Sequence, residues 1–371
     1  MLAAVLPATR LVVLYGGRSA EHDVSCVSAR HVVDGLDPRR YHVHPIGITR
    51  DGTWVDCRRL VADADPSTGA LPSPDLAPPA DRMAAVGLTG MLADAAHVVA
   101  FPMVHGPSGE DGTLQGLLEM SGVPYVGAGV LASALCMHKA AAKDVLGFHG
   151  VPQTPWLSVR GPEITDEVLD DVAARLGPVV FVKPANMGSS IGITRAVGPD
   201  ALAAAVIEAS RFDVELVFEQ AVEGREIEVA VIGNDVPEVS VPGEIVSPSG
   251  FYDYDEKYVS DRARLLVPAP LSDEEIERLG KLVRDAYRAL RVEGMARVDC
   301  FLDRRGRFLV NEVNTIPGFT PISMFPRLWQ ASGLPTTELL DRLVALALDR
   351  HARRKTSGRP LTIPGRGTSS A

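Results

Sequence analysis

The sequence predicts an α/β protein with more than one lobe, and three observations support this. The chain has 371 residues, more than one compact core usually holds. Residues 11–15 and 97–101 are short apolar runs rich in β-branched side chains, which is typical of buried parallel strands. Helical stretches alternate with these runs, and the first run ends at Gly16 and Gly17. This order predicts a Rossmann-like amino-terminal lobe whose ligands bind where the strands end.

The rest of the chain is predicted to form two further lobes that mix helices and strands. We expect helices at 131–148, 200–211 and 273–290, strands at 122–127, 179–184, 215–219 and 226–233, and a hairpin of 296–302 with 308–314. The predicted domain bounds are 1–128, 129–219 and 220–352, followed by a polar, basic tail at 353–371. Residues 62–82, rich in Pro, Ala, Ser and Asp, are predicted to be a surface insertion without a chemical role.

The composition limits the class of protein and its partners. Hydrophobic residues make up 46% and charged residues 23%, a balance typical of soluble proteins. The net charge of −10 argues against a nucleic-acid partner, which would need concentrated Lys and Arg. The four cysteines lack the CxxC spacing of a zinc site or a disulfide framework. No apolar stretch is long enough to span a membrane, and Arg10 interrupts the apolar start, so we expect a cytoplasmic protein without a signal peptide.

The predicted hairpin brings oxygen-bearing side chains together. Residues two apart in a strand face the same side, so Arg297 lies beside Asp299, and Glu312 beside Asn314. Pairing of the two strands would join these four side chains on one face. Oxygen ligands suit a hard cation such as Mg²⁺, which commonly bridges carboxylates to nucleotide phosphates. A solvated strand face with incidental charge is an equally good interpretation of the hairpin alone.

A glycine- and serine-rich loop at residues 186–192 favours a phosphate site. Its backbone N–H groups can approach phosphate oxygens, and Lys183 immediately before it can supply a positive charge. An ordinary turn after a strand is the alternative. The loop lacks the Gly-Lys-Ser/Thr of a Walker A motif, and Gly16-Gly17 lacks the GxGxxG spacing of a dinucleotide oxidoreductase.

Five segments, taken in order, resemble the D-alanine–D-alanine ligase family of the ATP-grasp superfamily. They are VLYGGRSAEHDVS (13–25), HGPSGEDGTLQG (105–116), FYDYDEKY (251–258), ARVD (296–299) and NEVNTIPGFTPIS (311–323). The resemblance extends over nearly the whole chain. It implies a Rossmann-like amino-terminal lobe followed by a two-lobed ATP-grasp fold, with ATP held between antiparallel sheets of the second and third lobes.

The resemblance also implies roles for the nucleotide and metal ligands. Residues matching the family's ATP-binding positions are Lys139, Lys183 and Ser190 near the phosphates, Glu219 and Val222 at the adenine, and Glu226 at the ribose. For Val222, simple core packing is the alternative. Asp299, Glu312 and Asn314 match the ligands of Mg²⁺ or Mn²⁺, with Glu312 bridging two ions.

The implied reaction has two steps. The carboxylate of one D-alanine attacks the γ-phosphate of ATP, and the amine of a second D-alanine then displaces phosphate from the acyl phosphate. By resemblance, Glu21 receives the first ammonium, while Arg297 and the N–H of Gly318 face the oxyanion. A helix-start glutamate stabilised by the helix dipole is the alternative for Glu21. Lys257 and Ser323 match the groups that hold the second carboxylate.

The remaining matches concern loop closure and the choice of substrate. His105 matches a substrate-side position, although a structural histidine is an alternative. By resemblance, Tyr258 would end a loop that closes over the site and would bond Ser189, which in turn would contact Glu21. Relatives that make the D-alanyl-D-lactate ester lack this loop pattern, so the tyrosine favours the dipeptide. A sibling ligase that places D-lactate or D-serine second is the nearest alternative. The resemblance implies a homodimer and a role in peptidoglycan precursor synthesis, and a catalytically silent nucleotide-binding protein is the competing class.

Overall fold

A computed structural model describes residues 9–83, 98–247 and 264–356, so Lys257 and Tyr258 lie outside the described residues. The first sheet has the strand order β4-β3-β2-β1-β5. Its strands are β1 (Thr9–Gly16), β2 (Tyr41–Ile48), β3 (Trp54–Asp56), β4 (Arg82–Met83) and β5 (Val98–Pro102), with helices α1 (His22–Gly35), α2 (Arg58–Ala62) and α3 (Thr113–Met120). β1 pairs in parallel with β5, as the two apolar runs predicted, and also with β2, a strand that was not predicted.

The strand predicted at 122–127 is wrong. Only an isolated parallel bridge joins Tyr125 to Ala100 of β5. Ala100 donates to the carbonyl of Pro124 and accepts from the N–H of Val126, both at 2.9 Å. Because Pro124 has no N–H group, it cannot donate to the ladder, and a full strand does not form there.

The segment 62–82 is more than the surface insertion that the sequence predicted. Leu71 is buried, and its N–H donates to the carbonyl of Cys26 in α1 at 3.0 Å. Tyr15 donates its hydroxyl to the carbonyl of Pro72 at 3.0 Å, and β4 adds the last residues to the sheet. The contacts of this segment with the first core could not be predicted, because its proline-rich sequence has no periodic pattern. Single apolar residues such as Leu71 nevertheless pack into that core.

The second sheet is antiparallel, with the order β6-β9-β7-β8. It consists of β6 (Trp156–Arg160), β7 (Val179–Pro184), β8 (Thr194–Val197) and β9 (Glu215–Gln220), covered by α6 (Asp166–Leu176) and α7 (Pro199–Ala209). The helix predicted at 131–148 is two helices, α4 (Val130–Met137) and α5 (Lys139–Phe148). They separate at His138, whose extended backbone interrupts the helix and whose ring accepts from the N–H of Ala141 at 3.3 Å.

The third sheet is antiparallel and contains the predicted hairpin. Its order is β13-β12-β10-β14-β15, with β11 paired to β10. The strands are β10 (Gly224–Gly233), β11 (Glu238–Val239), β12 (Gly243–Val246), β13 (Arg264–Leu266), β14 (Gly294–Asp303) and β15 (Phe308–Asn314). The helices α8 (Asp273–Ala289), α9 (Met324–Ala331) and α10 (Thr336–Thr356) complete this part of the chain.

One apolar core joins the two ends of the described chain. Leu11 of β1 and Phe101 of β5 belong to the same buried cluster as Ile232 of β10, Phe325 of α9 and Leu343 of α10. The second sheet has a separate core between its strands and α6 and α7. The first and third sheets therefore share a core, whereas the second sheet has its own.

Arg350 connects helix α10 to residues 125 and 127. It is 3% exposed, donates to the carbonyls of Gly127 and Tyr125, and lies 4.3 Å from the centre of the Tyr125 ring. We predict that Arg350→Met lowers the free energy of unfolding by about 2–4 kcal/mol, because two buried carbonyls lose a charged donor. Chemical denaturation checks this, and a change below about 0.5 kcal/mol, the size typical of neutral surface substitutions, would contradict it.

Candidate active site

A cleft of about 310 Å³ lies between the second and third sheets. One wall carries Lys183 and Glu219 from β7 and β9, and the other carries Glu226 of β10 with Asp299 and Glu312 of the hairpin. Lys139, Ser190 and Val222, three further residues predicted to bind ATP, also line the cleft. The structure therefore brings together all six predicted ATP-binding residues and two of the three predicted metal ligands.

Glu219 lies at the back of the cleft between two lysines. It is 3% exposed, and its Oε2 is 3.0 Å from Lys183 Nζ, while its Oε1 is 3.3 Å from Lys143 Nζ. Thr154 accepts from Lys143 at 2.9 Å and donates to Glu219 at 3.2 Å. Burial alone would raise the pKa of Glu219, but the charges of Lys143 and Lys183 hold that pKa at about 2. Glu219 is therefore ionised at neutral pH.

The glycine- and serine-rich loop covers one end of the cleft. Ser189 and Ser190 both have positive φ angles, of 50° and 59°, which are uncommon for residues other than glycine. Lys139 is the first residue of α5, and its ammonium group donates a hydrogen bond to the carbonyl of Met187 in this loop. Strained backbone held in place at a cleft is typical of functional loops, and here it presents Ser190 to the cleft.

The two predicted hairpin strands pair, and their predicted faces coincide. Arg297 is opposite Asn314, and Asp299 is opposite Glu312, so the four side chains meet on one face. Arg297 donates two hydrogen bonds of 2.7 Å to Asp299, and Asn314 donates one of 3.0 Å to the same carboxylate. Burial alone would lower the pKa of Arg297, but the adjacent carboxylates of Asp299 and Glu228 raise it well above its ordinary value.

A β-bulge shifts the register between Asp299 and Cys300, leaving Asn311 without a partner across the ladder. The side chain of Asn311 lines the cleft, and its Oδ1 is 3.3 Å from Lys183 Nζ. The bulge thus lets two consecutive residues, Asn311 and Glu312, both reach the cleft. Strict alternation would have turned one of them away.

The described residues fit a metal ion that takes some of its ligands from the protein and the rest from a phosphate. Within residues 9–83, 98–247 and 264–356, no three His, Cys, Asp or Glu side chains are grouped closely enough to hold a metal ion. The hairpin offers two carboxylates, Asp299 and Glu312, and one amide, Asn314. Oxygen donors of this kind suit Mg²⁺, which keeps several positions for water and phosphate oxygens.

Glu21 joins the first sheet to the glycine- and serine-rich loop. It immediately precedes α1, is buried, and accepts a hydrogen bond from the hydroxyl of Ser189. Gly106 has a φ of 76°, and a Cβ atom there would lie 2.9 Å from Glu21 Oε2. A side chain at this position would displace the carboxylate. The Ser189–Glu21 contact is the one that the resemblance implied.

His105 ties the first sheet to the loop that follows the hairpin. It is fully buried, with Nδ1 at 3.1 Å from the carbonyl of Ile316 and Nε2 at 3.2 Å from Ser28 Oγ. The same Ser28 oxygen accepts from the N–H of Phe319 at 3.2 Å. Burial alone would lower the pKa of His105, but Glu110, whose Oε1 is 3.5 Å from Nδ1, raises it.

Gly318 and Ser323 lie next to each other beside this histidine network. A Cβ atom on Gly318 would come within 2.9 Å of Ser323 Oγ, so glycine allows the loop to approach α9 closely. Ser323 Oγ in turn accepts from the N–H of Thr320 at 3.0 Å. The predicted partners Lys257 and Tyr258 lie outside the described part of the chain.

Two family models together match most of the chain. Residues 10–128 match the model described as "D-ala D-ala ligase N-terminus", and residues 145–345 match "D-ala D-ala ligase C-terminus". The chain belongs to the D-alanine–D-alanine ligase family. A curated D-alanine–D-alanine ligase from Geobacillus thermodenitrificans is 44% identical over 94% of this chain and 97% of its own length.

Solved structures of ligases have the same fold as this family member. A D-alanine–D-alanine ligase from Coxiella burnetii matches with a TM-score of 0.78 and 35% identity, covering 95% of this chain and 98% of that one. The VanG D-Ala:D-Ser ligase from Enterococcus faecalis matches with a TM-score of 0.80 and 32% identity, covering 92% and 100%. The predicted ATP-grasp fold and ATP-dependent D-alanine–D-alanine ligase activity are confirmed. No helix in the described residues is long and apolar enough to cross a bilayer.

Sequence reasoning missed several residues of this ligase site. Glu228 lies two residues after Glu226 on β10, and its Oε2 is 3.1 Å from Arg297 Nε. Period-two alternation could have found it, since both glutamates face the cleft. Lys143 follows Lys139 by one helical turn, a spacing that could have indicated a second inward lysine. Ser28 carried no signal, because its partners are distant in sequence.

Proposed function

We propose that the cleft holds ATP and that the roles implied by the family resemblance apply to the residues found there. Lys139, Lys183 and Ser190 would bind the phosphates, and Glu226 would receive the ribose hydroxyls. Glu219 lines the cleft and would accept a hydrogen bond from the adenine amino group. Val222 lines the cleft and would pack on the base.

The metal would be held by Asp299, Glu312 and Asn314, as Mg²⁺ or Mn²⁺ and with two ions. Bound there, it would neutralise the charge of the transferred phosphoryl group. The donor chemistry supports this, since two carboxylates and an amide leave room for phosphate oxygens. Arg297 bonds Asp299 in the structure and would turn its free donors toward the oxyanion of the tetrahedral intermediate.

The ligated substrates would occupy the region between the cleft and the first sheet. The carboxylate oxygen of one D-alanine attacks the γ-phosphorus and ADP leaves, giving D-alanyl phosphate. The deprotonated amine of the second D-alanine then attacks the carbonyl carbon, and phosphate leaves with one former carboxylate oxygen. Glu21 would hold the first ammonium, with His105 nearby, and the N–H of Gly318 would bind the oxyanion. Lys257 and Ser323 would hold the second carboxylate.

The observation that carries this proposal is the position of Glu21. Its contact with Ser189 links the first sheet to the loop that covers the nucleotide cleft, so both substrates meet at one place. Supplying D-alanine labelled with ¹⁸O in its carboxylate tests the chemistry. One labelled oxygen is expected in the released phosphate, and unlabelled phosphate would rule out the acyl phosphate route.

Replacement of the Glu21 carboxylate provides a test of the substrate-side assignment. We predict that Glu21→Gln raises the KM for D-alanine about 10–100-fold, because a charge-assisted hydrogen bond to an ammonium contributes about 1.5–3 kcal/mol. ATP affinity should stay within about twofold, since the nucleotide cleft is intact. Steady-state kinetics with each substrate varied separately measure both effects. An unchanged KM for D-alanine would argue against this role.

We propose that the enzyme prefers D-alanine to D-serine and D-lactate as its second substrate. Curated D-alanine–D-alanine ligases at 44% identity favour it, and Tyr258 favoured it in the sequence. D-serine is the second candidate, because the VanG D-Ala:D-Ser ligase has the same fold over 92% of this chain. Product analysis with D-alanine, D-serine and D-lactate offered together would separate the acceptors.

We also propose the predicted three lobes, a homodimer and a cytoplasmic location. The first and third sheets fall within the ranges 1–128 and 220–352, and the second falls within 129–219 except for Gln220 at the end of β9, which supports these bounds to within a residue. α4 and α5 nevertheless pack partly on the third core, through Ala132 and Leu146. All four cysteines are free and buried, which fits a reducing compartment that also supplies ATP. Sedimentation analysis would test the dimer.

A further inference from the structure

Lys143 occupies a position that the ligation chemistry does not explain. It is 2% exposed on the inner face of α5, behind Glu219 rather than in the cleft, and its ammonium lies 3.3 Å from Glu219 Oε1. Its other described partner is the hydroxyl of Thr154, at 2.9 Å. Burying an ammonium is costly unless it is paired, so a hydrophobic residue would be the simpler choice for packing alone.

Glu219 and the phosphates of the nucleotide would compete for the ammonium of Lys183. Lys183 Nζ pairs with Glu219 Oε2 at 3.0 Å and also lies 3.3 Å from Asn311 Oδ1. When Lys183 binds a phosphate, its charge is shared with that phosphate. Glu219 would then be a buried carboxylate with weakened compensation, and leaving such a charge unpaired is strongly unfavourable. A second cation on the far side of Glu219 removes this penalty.

We propose that Lys143 is a positioning residue that neutralises Glu219 so that Lys183 can bind the phosphates of ATP. The proposal rests on the proposed function of Lys183. It assigns two tasks to two lysines that share one carboxylate: Lys143 stays with Glu219, and Lys183 turns to the ligand. Thr154, which bonds both Lys143 and Glu219, fixes the inner pair in place.

Two charge states of the site follow from this arrangement. Without nucleotide, two ammonium groups flank one carboxylate, which leaves an excess positive charge directed at the cleft. With nucleotide, the phosphates take up that excess, and Lys143 with Glu219 forms a neutral pair. Without Lys143, Lys183 would be the only close cation of Glu219 among the residues that the structure describes, and ATP would have to separate that pair in order to bind.

A double-mutant cycle with equilibrium ATP binding tests this. Lys143→Met is expected to weaken the binding of Mg²⁺–ATP about tenfold, equivalent to about 1.4 kcal/mol, with kcat at saturating ATP nearly unchanged. In the presence of Glu219→Gln, which removes the charge to be neutralised, the same change should cost less than about twofold. Lys143→Arg keeps the charge and should retain affinity within about threefold of wild type.

A purely structural role for Lys143 gives a different pattern. It would lower the melting temperature without changing ATP affinity, or would weaken ATP equally in both backgrounds, and either result overturns the proposal. If Lys143→Met alone fails to fold, the ATP affinities of Glu219→Gln and of the double variant are compared instead. A tenfold lower affinity of the double variant would contradict the proposal. Lys281→Met, an exposed lysine of α8 paired with Asp285, is the matched control.

Binding is measured without D-alanine, so the outcome is independent of ligation. If wild-type protein binds ATP but forms no dipeptide, the proposed function fails while the cycle remains interpretable. If ligation proceeds and the cycle shows no coupling between Lys143 and Glu219, only the inference about Lys143 fails.

Discussion

Arg297→Ala is expected to lower kcat about 100–1,000-fold, the usual cost of removing one donor from an oxyanion site. Arg297 is the cation at the hairpin face, where it bonds Asp299 twice and lies 3.1 Å from Glu228. Its charge would be drawn toward the oxyanion that forms when the amine attacks the acyl phosphate. ATP binding should persist, since the six nucleotide residues are unchanged. Single-turnover phosphate release and equilibrium ATP binding measure the two effects.

Arg297→Ala also leaves the carboxylates of Asp299 and Glu228 without their arginine partner, so the folding of the variant needs its own control. Arg297→Lys keeps the charge but loses the two parallel hydrogen bonds, and an intermediate rate is expected. Arg288→Ala, an exposed arginine on α8, should behave as wild type. Turnover of folded Arg297→Ala near the wild-type level would refute the oxyanion assignment.

Glu312→Gln is expected to lower kcat/KM for ATP on the order of a thousandfold. Glu312 lies opposite Asp299 in the hairpin register and lines the nucleotide cleft. As the proposed bridge between two ions it would supply several kcal/mol of charge stabilisation, and each 1.4 kcal/mol or so corresponds to tenfold in rate. Raising Mg²⁺ or Mn²⁺ should restore part of the activity, which a folding defect would not do.

Metal titration of the variant distinguishes these explanations. The concentration of Mg²⁺ that gives half-maximal activity should rise for Glu312→Gln, and it should stay constant for Glu274→Gln, an exposed glutamate on α8. A variant with a lowered rate but unchanged metal dependence would show that Glu312 acts in some way other than as a ligand.

The local parts of the site could be predicted from the sequence. The hairpin strands are close in the chain, so period-two alternation was enough to predict that Arg297 and Asp299 share a face with Glu312 and Asn314, while the register came from the structure. The parallel strands β1 and β5 followed from their β-branched runs, whereas β2 between them in the chain was not predicted. The family motifs supplied the long-range order, because they joined segments that no local pattern connects.

What could not be predicted depends on contacts between distant segments or on small departures from regular structure. The bulge that brings Asn311 beside Glu312 breaks the alternation on which the hairpin argument was based. The break at His138 lies in a run of good helix formers and becomes visible only from its backbone angles. The pairing of Glu219 with two lysines could not be predicted, because Lys143 is distant from Glu219 in the sequence.

The most direct test of the central account is phosphate release by the wild-type protein with ATP, Mg²⁺ and D-alanine. One phosphate and one ADP are expected for each D-alanyl-D-alanine formed, and omission of D-alanine or of the metal should stop the reaction. Folded protein that binds ATP but releases no phosphate in response to D-alanine would contradict the account.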